Sequence, residues 1–173
     1  MQRVVLTGGP GAGKSTVLDV LQEHGYTTGE DAARSIIRER KAAGLSPRPE
    51  PSEFAKQVLD REIATYRSVA SSPTFLERGV AEAVGSLHKL GNLDDHAAKH
   101  LIETYRYERI FLFPPWAEIY RNDSERDHTF EHAIQVYEGT RTWYIRFGYE
   151  IIEVPLGTAN TRAEFILRHT AGA

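Results

Sequence analysis

The sequence predicts an α/β fold: three layers, with a five-stranded parallel sheet carrying helices on both faces. Three observations lead there. Five short β-prone runs alternate with stretches whose apolar residues recur at helical spacing, the signature of βαβ crossovers. The run Arg109-Ile110-Phe111-Leu112-Phe113 is apolar almost without alternation, as a strand covered on both faces should be. A glycine-rich loop stands between the first run and the first helical stretch, at the carboxyl end of a strand, where open sheets bind ligands.

The first strand is Arg3-Val4-Val5-Leu6-Thr7. The first helix runs from about Lys14 to His24, with Val17, Leu18, Val20 and Leu21 as its apolar stripe and Gly25 as its stop. Tyr26-Thr27-Thr28 is the second strand. The next helix starts at Glu30 or Asp31, carries Ile36 and Ile37, and ends near Gly44. Leu45 to Pro51 is a proline-rich surface loop. Ser52 then caps a long helix whose apolar face is Ala55, Val58, Leu59, Ile63, Tyr66 and Ala70. Ser71-Ser72-Pro73 breaks it. Thr74-Phe75-Leu76 is the third strand and leads into Glu77-Arg78-Gly79. A helical region interrupted at Gly85 and Gly91, and a helix from about Leu93 to Tyr105, precede the fourth strand. After Pro114-Pro115, Trp116 to Tyr120 forms a helical turn and Arg121 to Asp127 a charged loop. A helix with Phe130, Ala133, Ile134, Tyr137, Arg141 and Tyr144 on one face ends at Gly148. Glu150 to Val154 is the fifth strand, and Thr161-x-x-Glu164 is the capping box of the last helix.

The loop itself, Gly8-Gly9-Pro10-Gly11-Ala12-Gly13-Lys14-Ser15 followed by Thr16, matches G-x-x-x-x-G-K-[ST] without a mismatch. Its glycines let successive N–H groups turn inward, and the helix N-terminus adds positive partial charge, so the loop suits a polyanion. Lys14 would reach the β- and γ-phosphates of a nucleoside triphosphate, and Ser15 would offer its hydroxyl to Mg²⁺.

Composition narrows the rest. At 173 residues one domain is expected. The net charge of −3 argues against a broad nucleic-acid or membrane surface. There is no cysteine for disulfide or thiolate chemistry. With the first strand at the N-terminus and no apolar run near the roughly 20 residues that span a bilayer, a cytoplasmic protein is expected. Its oligomeric state is open.

Residues just past the strand ends form the expected site. Glu77 would hold Mg²⁺ through water or orient an acceptor hydroxyl, and Arg78 could grip a phosphate or carboxylate on two points. Asp31 and Arg34 lie one helical turn apart. With Glu30 they offer a carboxylate able to take a proton from an acceptor; the competing reading is an N-cap with a salt bridge. Arg121 and Arg126 flank a polar loop that would close over the phosphates. The alternative there is a solvated turn. His128-Thr129-Phe130-Glu131-His132 spells the zinc-protease pattern H-x-x-E-H, weighed against a plain polar helix start.

The start of the chain through Ser15, together with Asp31-Ala32-Ala33-Arg34, Phe75-Leu76-Glu77-Arg78-Gly79 and Phe113-Pro114-Pro115-Trp116 with Glu118-Ile119-Tyr120-Arg121, resembles a family of small bacterial predicted ATPases. They are described as AAA-type ATP-binding domains and look more like P-loop kinases. The group includes domains similar to the ribosylnicotinamide kinase part of a nicotinamide-adenine-dinucleotide regulator. Glu77-Arg78 is also similar to the acid-Arg pair of deoxynucleoside and thymidylate kinases, where the Arg meets the acceptor. The resemblance implies a P-loop NTPase fold of the nucleotide-kinase kind, an ATP-Mg²⁺ site and a lid carrying arginines. No Asn-Lys-x-Asp guanine signature and no second-region arginine finger of an oligomeric motor is present.

The resulting expectation is an ATP-dependent phosphotransferase acting on a small molecule. Lys14, Arg121 and Arg126 would stabilise the moving phosphoryl group. Asp31, Arg34, Glu77 and Arg78 would surround the acceptor, and the loop ending at Gly157 would touch the adenine. The alternative is a regulatory nucleotide-binding switch whose occupancy is read by a partner.

Overall fold

The computed structural model describes residues 2–70, 73–120 and 129–171. The chain separates into two compact units, each built from non-contiguous pieces: Met1–Gly29, Ala70–Glu77 and Tyr107–Ala173 form the first, Glu30–Val69 and Arg78–Arg106 the second.

Among the described residues the first unit holds every strand: β1 (Arg3–Gly8), β2 (Thr27–Gly29), β3 (Thr74–Glu77), β4 (Arg109–Phe113) and β5 (Ile151–Glu153), with helices α1 (Lys14–Glu23), α6 (Phe130–Arg146) and α7 (Ala159–Ala171). The five strands form one sheet in the order β2-β3-β1-β4-β5, and every pairing is parallel. The crossover from β1 to β2 travels one way along the sheet, and that from β4 to β5 the other. Right-handed connections therefore put α1 and α6 on opposite faces. Side-chain parity agrees. Val4, Leu6, Phe75, Phe111 and Phe113 share one buried cluster with Val17, Leu18 and Leu21 of α1 and Ala163 and Ile166 of α7. The residues of opposite parity, Val5, Ile110 and Leu112, are also wholly buried. Two apolar faces explain why β4 reads as a continuous apolar run.

The second unit is helical: α2 (Ala32–Ala42), α3 (Pro51–Ser68), α4 (Val80–Lys89) and α5 (Asp95–Thr104). Three of its helices start on carboxylates, and α4 starts at Gly79. Asp31 caps α2, Glu50 caps α3 by accepting from Ser52 N and Glu53 N, and Asp94 caps α5 by accepting from Ala97 N.

Several element ends differ from expectation, each for a local reason. Ser52 does not cap α3. Pro51 occupies the first turn, where a missing N–H costs nothing, so the cap moves back to Glu50. Gly85 does not interrupt α4, which runs unbroken to Lys89, while Gly91, at φ 75°, follows its end. The last helix starts earlier than the Thr161 capping box: Thr158 Oγ1 accepts from Thr161 N at 3.2 Å, so Thr158 does the capping. On α3 the fully buried positions are Ala55 and Glu62, and Val58, Leu59 and Ile63 are half-buried. On α6, Ala133, Tyr137 and Tyr144 are buried, whereas Ile134 is exposed.

Candidate active site

In the first unit the loop after β1 closes around Lys14. Gly8 is the last residue of β1 and lies opposite Phe113 in the register, with φ 133°. A Cβ there would press into the Phe113 carbonyl, so only glycine lets the chain leave the sheet at this point. Gly8→Ala is expected to cost about 3 kcal/mol, from the strained φ and the backbone collision together. That lowers the melting temperature by about 10 °C in a chain of this size. An unchanged thermal melt would show that the β1–β4 pairing yields at this point.

Lys14 begins α1 and is 2% exposed. Its Nζ donates to Gly9 O at 2.9 Å and Gly8 O at 3.4 Å, and stands 3.8 Å from Glu77 Oε1. Ser15 Oγ donates to Glu77 Oε2 at 2.8 Å. The placement of Glu77 follows from strand alternation. It shares the parity of Phe75, whose side chain packs with α1, so its carboxylate emerges beside the first residues of that helix. Glu77 is 4% exposed, and its Oε1 has no hydrogen-bond partner among the described residues. The adjacent lysine and hydroxyl of Lys14 and Ser15 thus converge with a strand-end carboxylate far away in sequence. The donor set suits Mg²⁺: hard oxygens, few of them, beside a glycine-rich loop at a helix start, since this ion keeps most of its shell from water and substrate. No group of three or more His, Asp or Glu side chains able to hold a metal occurs among the described residues.

A residue not anticipated from the sequence stands behind this loop. Arg162, one turn into α7 and 2% exposed, donates from Nη1 to Ala12 O at 2.9 Å. Its guanidinium lies 4.4 Å from the centre of the Phe113 ring and 5.8 Å from that of Trp116. The signal was its spacing: Arg162, Ile166 and Thr170 fall on one buried stripe.

The second unit carries its own charged cluster. Asp31 Oδ1 accepts from Ala33 N at 2.9 Å and Arg34 N at 3.2 Å, while Oδ2 accepts from Arg78 Nε at 3.1 Å. Asp31 thus pairs with the side chain of Arg78 and takes a backbone N–H from Arg34. Arg78 also donates from Nη1 to Glu82 Oε1 at 3.3 Å, and Glu82 Oε2 accepts from Gly79 N at 3.0 Å. Arg78 has φ 69°, the one positive φ of a non-glycine residue among those described. Such a conformation costs on the order of 1–3 kcal/mol and persists where neighbours over-determine it, here two carboxylates on one guanidinium.

Glu62 of α3 is a second unanticipated residue in that cluster. It is 4% exposed, and its carboxyl is pushed up to about 8, first by burial, then by the charges of Glu82 and Asp31. The Ala32 N–H and Arg78 oppose the shift without cancelling it. Its sequence signal was position: seven residues beyond Ala55, on the buried side of α3. Glu30 is engaged otherwise. Hydrogen bonds from Ser35 and Arg38 hold its carboxyl below the usual range, which makes it a poor base at neutral pH.

Gly157 lies two residues before α7 at φ 158°, with Thr161 Oγ1 2.8 Å from where a Cβ would stand. Arg121, Arg126 and His128 lie outside the described residues.

The protein-family model described as AAA domain matches residues 3–162. The chain belongs to this AAA domain family. No curated protein matches it. Among solved structures it is similar to a deoxyadenosine kinase from M. mycoides with products dCMP and a flexible dCDP bound, at TM-score 0.66 and 14% identity, covering 99% of this chain and 100% of that one. The same kinase with bound dATP gives TM-score 0.62 at 13% identity, with the same coverage. NadR in complex with NR gives TM-score 0.69 at 17% identity over 99% of this chain and 52% of NadR, so the chain spans about half of that protein. At such identities the likeness concerns the fold alone, the α/β P-loop NTPase fold with its five-stranded parallel sheet. No helix among the described residues of this AAA domain protein is long and apolar enough to cross a membrane.

Proposed function

We propose that this AAA domain protein is an ATP- and Mg²⁺-dependent phosphotransferase that moves a phosphoryl group to a small-molecule acceptor. The observation that carries the reading is the convergence of Lys14, Ser15 and Glu77 at the end of the glycine loop. When bound, Mg-ATP supplies the activated phosphoryl group. Loop amides from Gly9 to Thr16 bind its phosphates. Lys14 neutralises charge that builds on the transferred group, and Ser15 with Glu77 holds the cation, the carboxylate acting directly or through water. Arg121 and Arg126 bring further positive charge and exclude water, and the turn at Gly157 lies against the base. Asp31, Arg34 and Arg78 bind and orient the acceptor. The fixed guanidinium of Arg78, held in an unusual backbone conformation by Asp31 and Glu82, favours that assignment.

The test is transfer of labelled γ-phosphate from Mg-ATP to a panel of nucleosides, nucleotides, sugars and amino-alcohols. Transfer to one class is expected. Tight ATP binding with no transfer to any member would overturn the kinase reading in favour of a nucleotide-operated switch. With an acceptor in hand, Arg78→Lys keeps the charge and the backbone strain but loses the two-point grip. It should raise the acceptor KM about tenfold and leave the KM for ATP nearly unchanged. Equal rises in both would remove Arg78 from the acceptor site.

A further inference from the structure

Among the described residues Arg162 is a buried cation without an anion to balance it. Its Nε and Nη2 are buried and meet no hydrogen-bond partner among the described residues, and its one hydrogen bond goes to a neutral carbonyl, Ala12 O, at 2.9 Å. Flanking rings of Phe113 and Trp116 supply partial compensation through their π-faces. Burial draws its pKa down to about 10, which still leaves it charged at neutral pH. A group in this position is costly. Removing a guanidinium from water is repaid only by good counter-charge and full hydrogen bonding, and here neither is complete.

Two features tie this cost to the loop. A Cβ on Gly13 would stand 2.9 Å from Arg162 Nη1, so the loop can approach the guanidinium this closely only because Gly13, at φ 80°, has no side chain. The bond to Ala12 O also fixes a direction. In a trans peptide the C=O and the following N–H point opposite ways, so holding the Ala12 carbonyl towards Arg162 turns the Gly13 N–H away from it. Phosphate loops work by keeping successive N–H groups turned towards the anion.

We propose that Arg162 is the buried counter-charge of the phosphate loop, a positioning residue that orients the Ala12–Gly13 peptide and whose own charge is balanced only when a polyphosphate occupies the loop. The inference rests on the nucleotide-binding part of the function proposed above and does not depend on phosphoryl transfer. It predicts an unusual separation of stability from affinity. A residue that merely packed the core would lose stability on substitution. Arg162 stores an unfavourable burial term that ligand binding relieves.

The experiment compares the unsubstituted chain with Arg162→Met, which keeps the length and loses the charge, and Arg162→Gln, which can still donate to Ala12 O. Calorimetric titration with Mg-ATP, Mg-ADP and adenosine gives affinities, and thermal melts without ligand give stability. Both variants are expected to melt at or above the temperature of the unsubstituted protein. Both should bind Mg-ATP about tenfold or more weakly, Mg-ADP less affected, and adenosine hardly at all, because a charge effect scales with the charge it meets. Lower melting temperatures with ATP affinity intact would overturn the proposal and make Arg162 a packing residue. Equal losses for all three ligands would overturn it too. If one variant does not fold, the other still carries the comparison. Failure of the unsubstituted chain to bind any of the three would overturn the nucleotide reading itself, whereas binding by that chain with unchanged affinity in the variants overturns this inference alone.

Discussion

Lys14→Ala is expected to abolish phosphate transfer, lowering kcat/KM by about 10³-fold or more, since one preorganised charge aimed at the transferring group is worth that much. The difficulty is that Lys14 also has a structural share. Its Nζ satisfies the carbonyls of Gly8 and Gly9 and faces Glu77 at 3.8 Å, with both side chains buried. Truncation leaves the buried Glu77 carboxylate without this counter-charge, and leaves the Gly8 and Gly9 carbonyls without the Lys14 donor. An orphaned buried group of this kind costs about 1–3 kcal/mol. Loss of activity alone would therefore be ambiguous. The double substitution Lys14→Met with Glu77→Gln resolves it: it removes both charges, keeps the approximate volumes, and leaves an amide that Ser15 can still meet. Replacing a buried ion pair in full is often close to neutral for stability, unlike removing one partner. The double variant should melt near the unsubstituted protein and remain inactive. Recovery of both stability and transfer would mean that Lys14 serves the fold and not the chemistry.

The strands and the phosphate loop were legible because each rests on residues close together in the chain. β1, the loop and the start of α1 form one continuous stretch, and β4 announces its two covered faces through Ile110 to Phe113. Helix ends were less so. Glu50 and Thr158 outcompeted Ser52 and Thr161 as caps because the choice between adjacent polar residues depends on where the chain enters the helix. The bond between Asp31 and Arg78 was not anticipated for a related reason. Arg34 is near in sequence, but Arg78, 47 residues on, makes the side-chain bond. Glu62 and Arg162 were missed because charged residues within apolar stripes are ordinarily read as exposed. Only the surrounding fold reveals that their positions are interior. In both cases helical register held the clue: Glu62 repeats Ala55 after seven residues, and Arg162 precedes Ile166 by four. A charged residue on the buried stripe of an amphipathic helix is a better pointer to a site than its composition suggests.

Glu62→Gln should remove a pH dependence that the unsubstituted protein carries. In the folded chain the Glu62 carboxyl is raised from 4.5 to about 8. Between those values the folded state holds a proton that the unfolded state has released. Stability must therefore fall as pH rises through that window, and level off above about pH 8. A displacement of this size is worth at most about 5 kcal/mol, at about 1.4 kcal/mol per pH unit. Burial leads the causes, and the charges around Glu62 explain why it wins: Arg78 is already bonded to Asp31 and Glu82, so a third carboxylate finds one guanidinium shared three ways. Glutamine mimics the neutral acid, since its carbonyl can accept from the Ala32 N–H, and it cannot ionise. Chemical denaturation at pH 5, 6.5 and 8 is the measurement. The variant should match the unsubstituted protein near pH 5, exceed it at pH 8 and show a flatter profile between. Glu62→Leu separates charge from hydrogen bonding: it also loses the slope, but leaves the Ala32 N–H unmet and should be less stable than the glutamine variant by about 1–3 kcal/mol. An unchanged slope in Glu62→Gln would place the titrating group elsewhere and leave Glu62 ionised beside Arg78.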